Sequence, residues 1–124
     1  MGITSKWDNP EKTVVVFTNV GDQKWDEFFV GVKEVNAMIR SVTHEVTLII
    51  DGTELKSIPP SAMTHFRNAL ASLPPNTKQV IGVVNSPFIR AIGNIVQKLA
   101  KTNMVSVATL EEARAIVYKD AKQA

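Results

Sequence analysis

The chain has 124 residues, a length that fits one domain of the usual size of about 100 to 200 residues. Hydrophobic residues make up 44% and charged residues 21%, so the composition is typical of a globular protein rather than a disordered one. The absence of cysteine excludes disulfides, thiolate metal sites and a cysteine nucleophile. The formal net charge of +2 is too small to indicate a nucleic-acid partner.

No segment has the features of a targeting signal or a membrane span. Met1 to Pro10 lacks the apolar stretch of about 7 to 15 residues that a secretory signal needs. The longest apolar runs, such as Val46 to Ile50, are far shorter than the roughly 20 residues that cross a bilayer. We therefore expect a cytoplasmic protein that does not insert stably into a membrane.

The first elements predict a hairpin followed by a helix. Thr13 to Val20 is rich in β-branched residues and continuous enough to be an inner strand. Ile3 to Trp7 is predicted to be an antiparallel edge strand, because residues 8 to 10 (Asp-Asn-Pro) are turn formers. A helix with an apolar stripe is predicted from Lys24 to Val42, with Asp22 as its candidate N-cap.

The middle of the chain predicts a second strand and helix. The strand runs from Val46 to Asp51 and ends at Gly52. A loop from Thr53 to Pro60 leads to a helix from Ser61 to Leu73, which two prolines then stop.

Two more strands and two more helices complete the pattern. Gln79 to Val84 and Met104 to Val107 are predicted strands, and Ser86 starts a helix with proline at its first position. Thr109 and Glu112 have capping-box spacing before the last helix. The order predicts one α/β domain over residues 1–124, with a mainly parallel sheet of four to five strands and about four helices.

The usual motifs of catalysis and cofactor binding are missing. The six glycines are scattered, so neither the Walker A loop nor the dinucleotide-binding fingerprint is present. We therefore expect no cofactor. His44 and His65 lack the spacing of metal ligands, which predicts no metal site. We expect His65 to be an ordinary residue on a helix surface, and Trp7, Trp25 and Tyr118 to be packing anchors.

The segment after the second inner strand is the strongest candidate for a functional surface. Ligands and partners of open parallel sheets meet the loops beyond the carboxyl ends of the strands, and this predicted loop is the longest and most polar. The alternative is that the polar residues of this segment serve only as helix caps and turn formers. The candidate partner-binding residues are Asp51, Gly52, Thr53, Glu54, Lys56 and Ser57.

The chain resembles the SpoIIAA-like proteins of the STAS/SEC14 (CRAL-TRIO) superfamily over nearly its whole length. The resemblance lies in the order of a hairpin, a helix with the sequence KWDEF, a strand ending in LIID, a Ser-Pro helix start and a closing TLEEARAIV. It implies a right-handed β/α superhelix of about four turns, in agreement with the four strand-then-helix units of the sequence.

The resemblance also implies a mode of action. Anti-sigma-factor antagonists of the STAS class are partner switches, whose Asp-Ser-Ser-Gly or similar motif is phosphorylated at its third residue. Asp51 matches the aspartate of that motif, and Thr53 takes the position of the phospho-acceptor. Gly52 and Glu54 depart from the motif, and Glu54 places a negative charge beside the acceptor.

Three functions remain open, and the leading one is a non-enzymatic, regulatory STAS-like module. It would bind a protein partner, or a second copy of itself as a homodimer, through the Asp51 segment and the following helix. The second is binding of a small apolar ligand or lipid in the SEC14 manner, with pocket walls from Phe28, Met63, Phe66 and Phe88. The third is an enzyme that uses Asp51 and His65, which requires the two groups to lie within reach of each other.

Overall fold

The structure, a computed structural model, describes residues 2–22, 24–57, 61–84 and 103–123. Its strands are β1 (Ile3–Trp7), β2 (Val14–Asp22), β3 (Val46–Ser57), β4 (Thr77–Val83) and β5 (Met104–Val107). The helices of these ranges are α1 (Trp25–Arg40), α2 (Ala62–Ala71) and α3 (Leu110–Gln123). The helix predicted to start at Ser86 lies outside the described residues.

The five strands form one sheet in which they lie side by side in chain order. β1 is antiparallel to β2, whereas β2, β3, β4 and β5 are parallel to their neighbours. This confirms the predicted α/β fold with an antiparallel edge strand. Because every parallel strand points the same way, the carboxyl ends of β2, β3 and β4 lie along one edge of the sheet.

Asn9 shapes the turn between β1 and β2. Its Oδ1 accepts hydrogen bonds from the backbone N–H groups of Thr13 (3.0 Å) and Val14 (3.3 Å). The N–H of Asp8 donates to the carbonyl oxygen of Val14 at 2.8 Å. These bonds satisfy the backbone where the chain reverses, as expected of a turn with aspartate and asparagine.

The core is divided between the two faces of the sheet, because successive strand residues point to opposite sides. On one face, Val15 and Phe17 of β2 belong to a buried cluster that includes residues of α1 and α2. On the other face, Val16 and Ile49 belong to a second cluster that includes Ala113 of α3. The continuous apolar runs of the inner strands are thus buried on both sides.

β3 is longer than the sequence predicts. Residues 53–57, predicted as a loop, continue the strand and pair with an extension of β2, with Val20 opposite Glu54 and Asp22 opposite Ser57. A register shift before Val20 places one extra residue on β3, as in a β-bulge. The prediction was wrong because the polar residues of this segment gain their strand partners only from the distant end of β2.

The predicted caps are correct at one helix and wrong at another. Asp22 lies in β2, and the N-cap of α1 is Lys24, which makes no side-chain capping bond. At α3 the N–H of Glu112 donates to Oγ1 of Thr109 at 3.1 Å, as predicted. The Glu112 carboxylate accepts a bond from the Thr109 hydroxyl (3.3 Å), which is a local variant of the capping box.

Candidate binding surface at the carboxyl edge

Strand ends and helix starts meet at the edge of the sheet that was predicted to be functional. α1 begins just after β2, and α2 begins shortly after β3, so both helices start at the carboxyl ends of parallel strands. Open parallel sheets bind ligands and partners at this edge, because the helix starts and loops there differ from protein to protein while the sheet holds them in place.

Asp51 and Thr53 form a compact hydrogen-bonded unit at this edge. Oδ1 of Asp51 accepts bonds from both the backbone N–H (3.0 Å) and the hydroxyl (2.7 Å) of Thr53. Both residues are half-buried. The hydroxyl of the predicted phospho-acceptor therefore already donates its proton to the carboxylate two residues earlier.

The other predicted partner-binding residues lie in the same strand. Gly52 is buried, whereas Glu54 is exposed while its backbone pairs with β2. Lys56 and Ser57 are also part of β3, but their side chains lie outside the described part of the structure. The segment is thus the end of a strand rather than a free loop.

Asp51 and His65 lie on opposite faces of the sheet. Asp51 pairs in register with Val83, whose side chain belongs to the buried cluster that includes α3. The Asp51 charge also helps to raise the pKa of Arg114 on α3, an effect smaller than that of the hydrogen bond to Asp8. His65 contacts the rings of α1 on the other face. The structure thus gives no support to the hypothesis of an enzyme that uses these two groups together.

An aromatic cluster joins the starts of α1 and α2, and its inner part belongs to the core. Phe28 is only 5% exposed and packs edge-to-face against Phe17 (6.0 Å between ring centroids) and against Phe66 (5.5 Å). Such edge-to-face pairs add to the stabilisation that comes from burying the rings.

The outer part of the cluster, which we call the aromatic triad, consists of Trp25, Phe29 and His65. The centroid of the His65 ring lies 4.4 Å from that of Trp25 and 5.0 Å from that of Phe29. Trp25 and Phe29, one helical turn apart on α1, lie 6.4 Å apart with nearly parallel planes. Phe29 is 42% exposed, and the other two rings are half-buried. His65 is therefore part of a ring cluster, contrary to the expectation of an ordinary surface residue.

Two of the four residues predicted to line a ligand pocket belong to the aromatic cluster. Phe28 and Phe66 pack against each other, and Phe28 is buried in the core. Phe88 and the side chain of Met63 lie outside the described residues.

A second polar cluster, which the sequence did not reveal, connects the first turn to the last helix. Arg114 donates from Nη2 to Oδ1 of Asp8 (2.7 Å) and from Nε to Oδ2 (3.2 Å). The hydroxyl of Tyr118 also donates to Oδ2 of Asp8, at 2.7 Å. Burial alone would raise the pKa of Asp8, but the hydrogen bonds from Arg114 and Tyr118 outweigh it, and the pKa is lowered.

Residues 2–22, 24–57, 61–84 and 103–123 hold neither a metal-binding cluster nor a membrane-spanning helix. They contain no group of three histidine, aspartate or glutamate side chains placed to hold a metal ion. None of α1, α2 and α3 is long and apolar enough to span a bilayer.

The comparisons with known proteins give a match in structure only. The sequence matches no protein-family model and no curated protein. A solved structure of an uncharacterised protein from the DUF3478 family of Shewanella loihica PV-4, described as having a SpoIIAA-like fold, superposes with a TM-score of 0.69. The match covers 90% of each chain at 12% sequence identity.

The chain has a SpoIIAA-like fold. This confirms the fold that the resemblance implied. An identity of 12% supports the fold alone, because one fold hosts many unrelated functions. The function of this SpoIIAA-like domain has to be argued from its own side chains.

Proposed function

We propose that the protein is a non-enzymatic, STAS-like interaction module that binds a protein partner at the carboxyl edge of its sheet. The binding surface extends over both faces of this edge, with the aromatic triad of α1 and α2 on one face and Asp51 at the end of β3 on the other. The observation that carries this proposal is the aromatic triad, which brings three rings together at the edge where parallel sheets bind.

Exposure and neighbouring side chains support an interaction surface. Phe29 of α1 is 42% exposed, and the next residue of the helix, Val30, is 54% exposed. Single exposed apolar residues are ordinary, but aromatic rings grouped with other apolar residues are enriched at protein interfaces. Tryptophan and phenylalanine bury large areas at little cost in side-chain entropy, which makes them effective anchors.

A phosphate on Thr53 would act directly on this surface. Phosphorylation would remove the hydroxyl proton that now binds Asp51 and would place a phosphate within contact distance of that carboxylate. The resulting repulsion would displace the end of β3. We expect Thr53→Glu to weaken partner binding more than Thr53→Val, which removes the hydroxyl without adding a charge.

In the test, the protein is immobilised and captures partners from an extract of the host organism. We expect a protein that wild type retains to be lost with Phe29→Ser, because the substitution removes the most exposed ring of the triad. Glu54→Lys, which reverses an exposed charge at the end of β3, should weaken capture as well. Ile116→Ser is the matched control, because Ile116 is a comparably exposed apolar residue (37%) on α3.

The captured protein is then purified, and its dissociation constant is measured with each variant. Equal affinity for wild type, Phe29→Ser and Glu54→Lys would refute the proposed surface. If wild type is a dimer in native mass spectrometry and Phe29→Ser is a monomer, the partner is a second copy of the chain.

A further inference from the structure

His65 differs from the other side chains of the aromatic triad in that it can gain a charge. Histidine is the residue type whose charge ordinarily changes between about pH 5 and 8. The imidazole of His65 lies 4.4 Å from the Trp25 ring and 5.0 Å from the Phe29 ring. A protonated imidazole within about 6 Å of an aromatic centroid is attracted by the negative face of that ring.

Other partners of this imidazole are missing in the described part of the chain. There, no hydrogen bond or ion pair involves the imidazole of His65, so the contacts of this side chain are with aromatic rings. The charged groups that the two helices place nearest in sequence to these rings are Lys24, Asp26, Glu27 and Lys33 around α1 and Arg67 on α2. Both signs occur among them, and the indole and phenyl rings are the direct neighbours of the imidazole.

We propose that the contact between His65 and Trp25 is a pH-sensitive switch within the binding surface. The uncharged imidazole is one more ring of the cluster. The protonated imidazole is a cation held against the indole ring, so it gives the same surface a positive charge and binds α1 more tightly to α2. The biological role of this switch rests on the proposed function, because the switch acts on the proposed binding surface.

The chain offers matched controls for this inference. Its only tryptophans are Trp7 and Trp25, and its only histidines are His44 and His65. Nε2 of His44 lies 2.8 Å from the carbonyl oxygen of Lys12, next to the β1–β2 turn and away from the carboxyl edge. Trp7→Phe therefore isolates the emission of Trp25, and His44→Asn tests whether the other histidine contributes.

The first measurement is the fluorescence of the isolated Trp7→Phe protein between about pH 8 and pH 5. We expect the emission of Trp25 to decrease on acidification in one step, because a nearby imidazolium quenches indole fluorescence. The decrease should persist in His44→Asn and disappear in His65→Asn. A decrease that survives in His65→Asn, or an emission that does not change with pH in the Trp7→Phe protein, would overturn the switch.

The second measurement guards against variants that fold poorly. The thermal midpoint of wild type should exceed that of His65→Asn by more at pH 5 than at pH 8. The reason is that only the protonated ring gains the cation–π contact. An equal difference at both pH values would contradict the inference. Neither measurement involves a partner, so the switch can fail while the proposed function stands, and the reverse.

Discussion

Asp8 holds together two ends of the chain that are far apart in sequence. Its side chain is only 11% exposed and accepts bonds from Arg114 and Tyr118, which lie 106 and 110 positions away. Hydrogen bonds to an ionised carboxylate are stronger than neutral ones, and these are partly shielded from water. Arg114 is 47% exposed, so solvent screens its share of the interaction.

We expect Asp8→Asn to lower the free energy of unfolding by about 1–2 kcal/mol at neutral pH, because it removes the charge that both donors bind. The pKa of Asp8 is lowered in the folded state, so its contribution is present above the ordinary value of 3.8 and is lost as pH falls through the lower, folded value. Denaturant titrations of wild type and Asp8→Asn should therefore converge in strongly acidic buffer.

Glu11→Gln is the control for Asp8→Asn. Glu11 is an exposed acidic residue in the same turn, and its removal should change stability by less than about 0.5 kcal/mol. If both variants lose equal stability, the effect belongs to net charge and not to the contacts of Asp8.

Tyr118 supplies an independent measurement of the same cluster. Burial, together with the hydrogen bond to Asp8, raises the pKa of Tyr118 well above its usual range. Because Tyr118 is the only tyrosine, the phenolate absorbance of the protein reports it alone. We expect no phenolate near pH 10 in wild type, and ionisation at lower pH in Asp8→Asn.

The raised pKa of Tyr118 also makes the stability of the fold depend on pH. The neutral phenol is favoured in the folded chain, so its contribution is complete below the unfolded value of about 10 and is lost as pH rises beyond it. Ionisation of Tyr118 near pH 10 while the far-ultraviolet circular dichroism stays native would contradict the hydrogen bond to Asp8.

The position of α1 depends on a glycine in the middle of the helix. A Cβ atom on Gly31 would lie 2.7 Å from Cγ2 of Ile3 in β1 and 2.9 Å from Cε2 of Phe17 in β2. The Phe17 ring is itself packed against Phe28, so it cannot move away freely. Gly31 thus allows α1 to approach β1 and β2 closely.

We expect Gly31→Ala to destabilise the protein by about 1 kcal/mol. Alanine gains up to about 1 kcal/mol in helix propensity, but the clash with Ile3 and Phe17 costs about 1–3 kcal/mol. Gly82→Ala is the control, because a Cβ there would meet Met104 Cε at an ordinary contact distance of 3.6 Å. A Gly31→Ala protein that is more stable than wild type in urea would show that α1 shifts without cost.

Helix and strand boundaries were predictable wherever local pattern decides them. The bounds of β1 and β5 agree with the prediction. Turn residues flank β1, and a short apolar run defines β5. The end of β3 was not predictable, because its polar residues are paired only by a distant extension of β2. Hydrogen bonds between separate strands leave little local trace in sequence.

The whole molecule is organised around one sheet, which predicts that it unfolds as one unit. Trp7 in the edge strand β1 and Trp25 at the start of α1 both pack against the same buried cluster. We expect the unfolding curves of Trp7→Phe and Trp25→Phe, followed by fluorescence, to coincide with those of circular dichroism for the same variant. Separate transitions for the two tryptophans would show that the chain contains more than one cooperative domain.

The candidate site was only partly predictable, because its residues come from different parts of the fold. The sequence predicted correctly that the parallel strands place their carboxyl ends together at one edge. The Asp51 and Thr53 contact is local and matches the position that the resemblance indicated. The aromatic triad was missed because Trp25 and His65 are brought together only when α1 and α2 pack on the same face.

The sequence was sufficient for the order of elements, the antiparallel hairpin and the α/β fold, because apolar periodicity and turn residues act over a few neighbouring positions. The tertiary structure alone decided that Asp51 and His65 lie on opposite faces, that the ring of His65 contacts Trp25 and that Asp8 binds Arg114 and Tyr118. These contacts depend on how helices pack on a sheet, and packing joins residues that no local pattern relates.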